Sequence, residues 1–134
     1  MALERTFIMV KPDGVARGLV GEIVGRLERK GLRLERLELR TLEREFAMRH
    51  YREHEGKGFF EDLITFITSG PVVASEWSGE GAIGVARSVI GATDPKQAAP
   101  GTIRGDFGLE VTFNLVHGSD GPESAARELA LFFG

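Results

Sequence analysis

A chain of 134 residues with no cysteine, 42% hydrophobic and 28% charged, fits one globular domain and excludes disulfides, zinc–thiolate sites and thiol catalysis. Seventeen Lys and Arg against 20 Asp and Glu give a formal charge of −3, without the basic surplus of a nucleic-acid binder, so nucleic acid is not an expected partner. The apolar run Phe7 to Val10 is too short for a signal-peptide core or a membrane span, and no linker or repeat divides the chain. A cytoplasmic protein with a single domain over residues 1–134 is expected.

Residues 5–10 predict a buried strand, stopped by Pro12-Asp13-Gly14. Val20, Ile23, Val24 and Leu27 recur at helical spacing, with Gly31 as the stop. Residues 33–40 alternate imperfectly and predict a strand with a bulge. Residues 43–53 are charged and helix-prone, and 59–68 suit a buried helix ended by Ser69-Gly70-Pro71. A third strand is expected from Pro71 to Trp77, a short helix over 81–90, and a long loop from Gly91 to Gly108. Val111, Phe113 and Leu115 alternate as a fourth strand. Pro122 opens a last helix that turns Ala126, Leu129, Ala130 and Phe133 inward. Helices separating short strands in this order predict an α+β sandwich with an antiparallel sheet.

Four segments could carry chemistry. Gly79-Glu80-Gly81-Ala82-Ile83-Gly84 matches the dinucleotide-binding fingerprint, but no strand leads to an acid at the required offset, so a turn with a helix cap is the better reading. Lys11 stands at the exit of an apolar strand, where a compact positive charge suits a phosphate. Arg87 and Arg104 flank a loop rich in Pro and Gly that also holds Thr93, and Arg forks grip phosphate oxygens in pairs. Asn114-Leu115-Val116-His117-Gly118-Ser119-Asp120 ends an apolar run on an imidazole, and Gly118 removes bulk beside it. Alternation puts Asn114 and His117 on opposite faces, so a site using both requires the strand to twist, bulge or end between them. Singly, each segment also has a structural reading as a solvated charge or a buried polar group.

Together these segments closely resemble the nucleoside diphosphate kinase family. The resemblance runs from Arg5 to Phe133 through Lys11-Pro12-Asp13-Gly14, Arg17-Gly18-Leu19-Val20-Gly21-Glu22-Ile23, His50-Tyr51, Phe59-Phe60, Ser69-Gly70-Pro71, Pro100-Gly101-Thr102-Ile103-Arg104-Gly105-Asp106-Phe107 and Asn114 to Asp120. It implies a ferredoxin-like sandwich with a four-stranded antiparallel sheet. It implies ping-pong transfer of the γ-phosphate of a nucleoside triphosphate to a nucleoside diphosphate through a phosphohistidine, with broad base tolerance. Carried over residue by residue, His117 resembles the nucleophile. Lys11, Arg87, Thr93 and Arg104 resemble the phosphate binders, Phe59 the base-stacking residue, and Asn114 with Lys11 the sugar contacts. Tyr51 resembles the tyrosine beside the phosphates, and Glu128, steadied by Ser119, the carboxylate on the far imidazole nitrogen. The implied cofactor is Mg²⁺ carried on the nucleotide's phosphates, since no protein metal cage is visible.

The implied assembly is a homo-oligomer, a hexamer of three dimers ahead of a tetramer, with the stiff Thr93–Gly101 loop as a subunit contact. Three departures from the family pattern stand out. Gly58 occupies a place where proline is common, which should loosen the hairpin carrying Phe59. Ser75-Glu76-Trp77 replaces an apolar run, and the sequence given ends at Gly134, before the tail of longer members. A non-catalytic nucleotide-binding or interaction module on the same fold is the rival reading; loss of His117 or Lys11 would have favoured it, and both are present.

Overall fold

Residues 3–134 are described by a computed structural model. Four strands, β1 (Leu3–Val10), β2 (Arg33–Arg40), β3 (Val72–Glu80) and β4 (Val116–Gly118), form one sheet ordered β2-β3-β1-β4. Every neighbouring pair is antiparallel. The helices are α1 (Pro12–Ala16), α2 (Val20–Lys30), α3 (Arg44–His50), α4 (Phe60–Ile67), α5 (Ala82–Ile90), α6 (Ile103–Phe107) and α7 (Pro122–Phe133), with a 3-10 turn at Arg52–His54. This is the expected α+β sandwich.

Helices cover the sheet on both faces, so its two central strands are buried and apolar over 7–10 and 72–74, with Trp77 beyond. Ile8, Val10, Val73 and Trp77 point to one face and pack with Ile23 and Leu27 of α2 and Ala86 and Ile90 of α5. Phe7, Met9, Val72 and Ala74 point to the other, against Ala47, Ile64 and Phe132 of α3, α4 and α7. Gly31 closes α2 at φ 112, where a side chain would be strained. The expected irregularity in β2 is a register shift between Leu34 and Arg36. No helix among the described residues is long and apolar enough to cross a membrane.

Five features differ from expectation. Pro12-Asp13-Gly14 is the start of α1: Pro12 opens a helix as readily as it ends a strand, and Asp13 suits the first turn. Residues 91–108 are not a plain loop, because Thr102 caps α6 by accepting from the Gly105 N–H at 3.0 Å. The third strand runs on to Glu80; Ser75 is accommodated by donating to the Ile8 carbonyl at 2.8 Å and accepting from the Trp77 indole at 2.8 Å. The fourth strand is 116–118, not 111–115, and Val111 and Phe113 are exposed. Finally, α7 packs Leu129 and Phe133 against the core as expected, but buries Ala125, Glu128 and Phe132 and leaves Ala126 and Ala130 exposed. A carboxylate pulled inward sets that face, which apolar periodicity does not register.

The glycine fingerprint is a strand end and a helix cap. Gly81 takes φ 62 ahead of α5, and the Ile83 N–H donates to Glu4 Oε1 at 2.8 Å. The chain's own carboxylate occupies the place a pyrophosphate would need.

Candidate active site

A cavity of about 310 Å³ opens between β4, α5, the α3 end and the 91–114 segment. Lys11, Tyr51, Arg87, Thr93, Arg104, Asn114, His117 and Glu128 all line it. Ser119 lies buried behind Glu128, and Phe59 stands half-exposed with its ring 5.4 Å from that of His54, another wall residue. Thus one site gathers every residue singled out in the sequence, with Phe59 beside it and Ser119 beneath it.

A turn centred on Leu115 builds the site. Leu115 adopts φ 75, and the Val116 N–H donates back to the Asn114 carbonyl at 2.9 Å. This is a γ-turn of the rare, strained hand, costing on the order of 1–3 kcal/mol. It resolves the parity conflict: the strand begins after Asn114, so Asn114 and His117 share one cavity. Tertiary contacts hold the turn in place. The Lys11 N–H donates to the Leu115 carbonyl at 2.8 Å, and the Leu115 N–H donates to Asp13 Oδ2 at 3.1 Å. Gly14 makes this approach possible, since a Cβ there would meet the Leu115 carbonyl oxygen at 2.9 Å.

Cations concentrate on one wall. Lys11 Nζ donates to Asn114 Oδ1 at 2.8 Å, and Asn114 Nδ2 donates to the Thr93 carbonyl at 3.0 Å. Burial, reinforced by the Arg104 charge, lowers the Lys11 ammonium to about 8. Arg104 is buried and donates to the carbonyls of Asn114, Gly91 and Val116. Burial and then Arg87 bring it down to about 10. Arg87 donates to the Gly118 carbonyl at 3.0 Å. Five N–H groups per guanidinium leave both arginines with donors to spare for an anion. Tyr51 has its hydroxyl buried and unpartnered within the described residues, and burial pushes the phenol up.

The chain has three histidines. His50 is enclosed, and His54 accepts from Lys57 Nζ at 3.2 Å outside the cation wall. His117 is partly open, and its Nε2 meets Glu128 Oε2 at 2.9 Å. A carboxylate partner that only accepts favours the tautomer with the proton on Nε2, which in a neutral ring leaves the lone pair on Nδ1. The site therefore sets one carboxylate-bonded imidazole in the same cavity as a cluster of positive charge.

A family model described as nucleoside diphosphate kinase matches residues 4–134. The chain belongs to the nucleoside diphosphate kinase family. It is a phosphotransferase that acts on nucleotides by way of a histidine. The kinase is 65% identical over 133 residues to a nucleoside diphosphate kinase of Frankia casuarinae, covering 99% of this chain and 97% of that one. It is 60% identical over 131 residues to one from Archaeoglobus fulgidus, covering 98% and 87%. It superposes on the halophilic nucleoside diphosphate kinase of Halobacterium salinarum, solved in complex with CDP, with a TM-score of 0.96 at 54% identity, covering 98% of this chain and 88% of that one.

Five further wall residues of the kinase, His50, Glu53, His54, Leu63 and Val111, are not among the site residues expected from sequence. Val111 was assigned to a strand interior, yet it is half-exposed and lines the cavity. His50 was passed over as the end of a charged helix; it is buried beside His117 with ring centroids 5.0 Å apart. His50 stands in the His50-Tyr51 segment of the resemblance but carries no sign of a role, and Val111 carries no local signal; both reach the site through chain packing.

Proposed function

We propose that His117 is the nucleophile of a ping-pong nucleoside diphosphate kinase. In the first half-reaction the Nδ1 lone pair forms a bond to the γ-phosphorus, and the β–γ bridging bond breaks with its electron pair leaving on the nucleoside diphosphate. The second half-reaction reverses this onto another diphosphate. Glu128 holds the Nε2 proton, fixes the tautomer and stabilises the positive charge that grows on the ring. Lys11, Arg87, Arg104 and the Tyr51 hydroxyl surround the phosphates, and Thr93 stands beside them. Lys11 and Asn114, already bonded to each other, meet the sugar hydroxyls.

The base stacks on Phe59, with exposed Val111 as an apolar partner. An aromatic face accepts any base, which supports broad tolerance. Mg²⁺ enters on the nucleotide's phosphates. The donor cluster among the described residues, His50, His117 and Glu128, is nitrogen-rich and suits a magnesium ion poorly. We place the kinase in the cytoplasm as a homo-oligomer, a hexamer of three dimers. The edge strand β2, with Leu37 and Leu39 exposed, is a surface an assembly can cover. Pro95 is buried inside its own chain against Gly108, so its stiffness serves the protomer as well as any contact.

The observation that carries the reading is the His117–Glu128 pair facing the cation wall. Incubation with γ-labelled ATP should give an acid-labile, base-stable phosphoenzyme that His117→Ala cannot form. Turnover by His117→Ala above about a hundredth of wild type, near 2.7 kcal/mol, sinks the assignment. Light scattering showing a monomer at micromolar protein overturns the assembly.

A further inference from the structure

His50 plays no part in the chemistry above. It ends α3 with 1% of its surface exposed, and both ring nitrogens are buried and unpartnered within the described residues. Aromatic rings wall it in: Tyr51 at 4.5 Å, Phe132 at 5.3 Å and Phe7 at 6.1 Å between centroids. Two polar atoms held without partners are a standing cost that a packed core normally avoids. A neutral imidazole keeps a lone pair on one ring nitrogen, and no group among the described residues takes it up.

One donor atom each from His50, His117 and Glu128 lie within 4.8 Å of one another, and all three residues line the cavity. Two imidazole nitrogens and a carboxylate oxygen are the donor set of Zn²⁺ and its neighbours in the transition series. With bonds of about 2.0–2.1 Å, ligand atoms in a tetrahedral shell stand about 3.3 Å apart. His117 Nε2 and Glu128 Oε2, at 2.9 Å, are already that close. To complete the shell, His50 must draw in by at most about 1.5 Å. Cations oppose an ion here: the Lys11 charge reaches His50, and Arg127 Nη2 lies 3.7 Å from Glu128 Oε2. It also lies 3.8 Å from Glu53 Oε1 and is 43% exposed, so it has an alternative partner toward solvent.

The geometry points to an inhibitory site for a borderline divalent transition ion of the Zn²⁺ class, held by His50, His117 and Glu128, with water or a phosphate oxygen as the fourth ligand. Magnesium, with its preference for oxygen, does not compete for it. Inhibition follows from the tautomer. A metal on Nε2 takes the lone pair of that nitrogen, so the Nε2 proton leaves and the neutral ring carries its proton on Nδ1 instead. The atom that must attack phosphorus then has no free pair. This inhibitory consequence rests on His117 as the nucleophile; the binding site itself does not.

Calorimetric titration with ZnCl₂, free of nucleotide and phosphate, measures the site directly in the kinase. One Zn²⁺ per chain is expected, with binding at least tenfold weaker in His50→Phe and in Glu128→Gln. Co²⁺ should give the visible absorption of tetrahedral nitrogen–oxygen coordination in the wild type and lose it in His50→Phe. If His50→Phe melts early, His50→Leu replaces it. In Mg²⁺–ATP assays, the ratio of rates with and without micromolar Zn²⁺ should fall at least tenfold in the wild type and stay near one in His50→Phe. Absence of binding, or equal binding in wild type and both variants, overturns the site. Labelled-phosphate incorporation without zinc separates the two readings. Zinc binding lost in His50→Phe with no label on His117 refutes the nucleophile and leaves the metal site standing; label on His117 with zinc binding indifferent to His50 does the reverse.

Discussion

Ser119 Oγ donates to Glu128 Oε1 at 2.6 Å, while the other oxygen of that carboxylate meets His117 Nε2 at 2.9 Å. Ser119 and Glu128 are almost wholly buried, so the serine holds a carboxylate that has little water to fall back on. The imidazole is thus oriented from two residues away in space, by a group that never reaches the substrate. Ser119→Ala is expected to lower kcat by about tenfold, near 1.4 kcal/mol, with KM little changed, because the lost bond supports the ring and not the ground-state nucleotide. Steady-state kinetics decide it, and an unaltered kcat rules out the relay.

Lys11 gives the pH dependence. Its ordinary value of 10.5 falls to about 8 on folding, chiefly through burial. Above about pH 8 the free enzyme loses this charge, so kcat/KM should decline there, and Lys11→Arg should push the decline to higher pH. The sign for stability is opposite. Between about 8 and 10.5 the unfolded chain binds more protons than the folded one, so stability rises with pH across that window. A decline in kcat/KM still near pH 8 in Lys11→Arg assigns it to another group.

The two arginines should separate in their stability effects. Arg104 ties together three backbone carbonyls around the Leu115 turn, whereas Arg87 contacts one. Both alanine variants should lose about 1.5–3 kcal/mol in kcat/KM, the range for a charged hydrogen bond. Only Arg104→Ala should also lower Tm by several degrees, and Arg104→Lys should recover part of the activity at most. Equal melting curves for the two alanine variants would show that Arg104 does not brace the turn.

Ser75→Ala tests the opposite case, a polar group with no catalytic task. The Trp77 indole N–H, in the centre of the core, would lose its acceptor. A loss of about 1–3 kcal/mol in unfolding free energy is expected with kcat/KM unchanged. A variant as stable as wild type means the indole finds another partner.

Elements long enough to show a period were legible in the sequence. Val20, Ile23 and Leu27 mark α2, and the broken alternation of 33–40 marks the bulge in β2. Two five-residue helices, α1 and α6, are too short to repeat, and punctuation residues such as Pro12 and Gly101 mask them. Strand β4 was misplaced because Val111, Phe113 and Leu115 alternate, although the first two face solvent. The turn at Leu115 depends on Asp13, 102 positions away, and no window of sequence contains it. Within the site, Lys11, Arg87 and Arg104 were visible as odd charges at strand and loop ends. Val111 and His50 were not, because only packing brings them to the cavity.

The sheet order has a consequence for the protein during synthesis. β1, the first strand made, lies between β3 and β4, and the carboxylate that serves His117 belongs to α7. At about 5–20 residues per second, the ribosome leaves one side of β1 without its partner for several seconds. Until α7 has cleared the exit tunnel, a nascent chain can already own Lys11 and the cation wall but cannot hold the imidazole in register. With His117 as the proposed nucleophile, phosphoryl transfer is a late event on the translation clock. Recovery of activity after release from a stalled ribosome then reports the docking of α7, the step that also brings Phe132 against Phe7 and Met9.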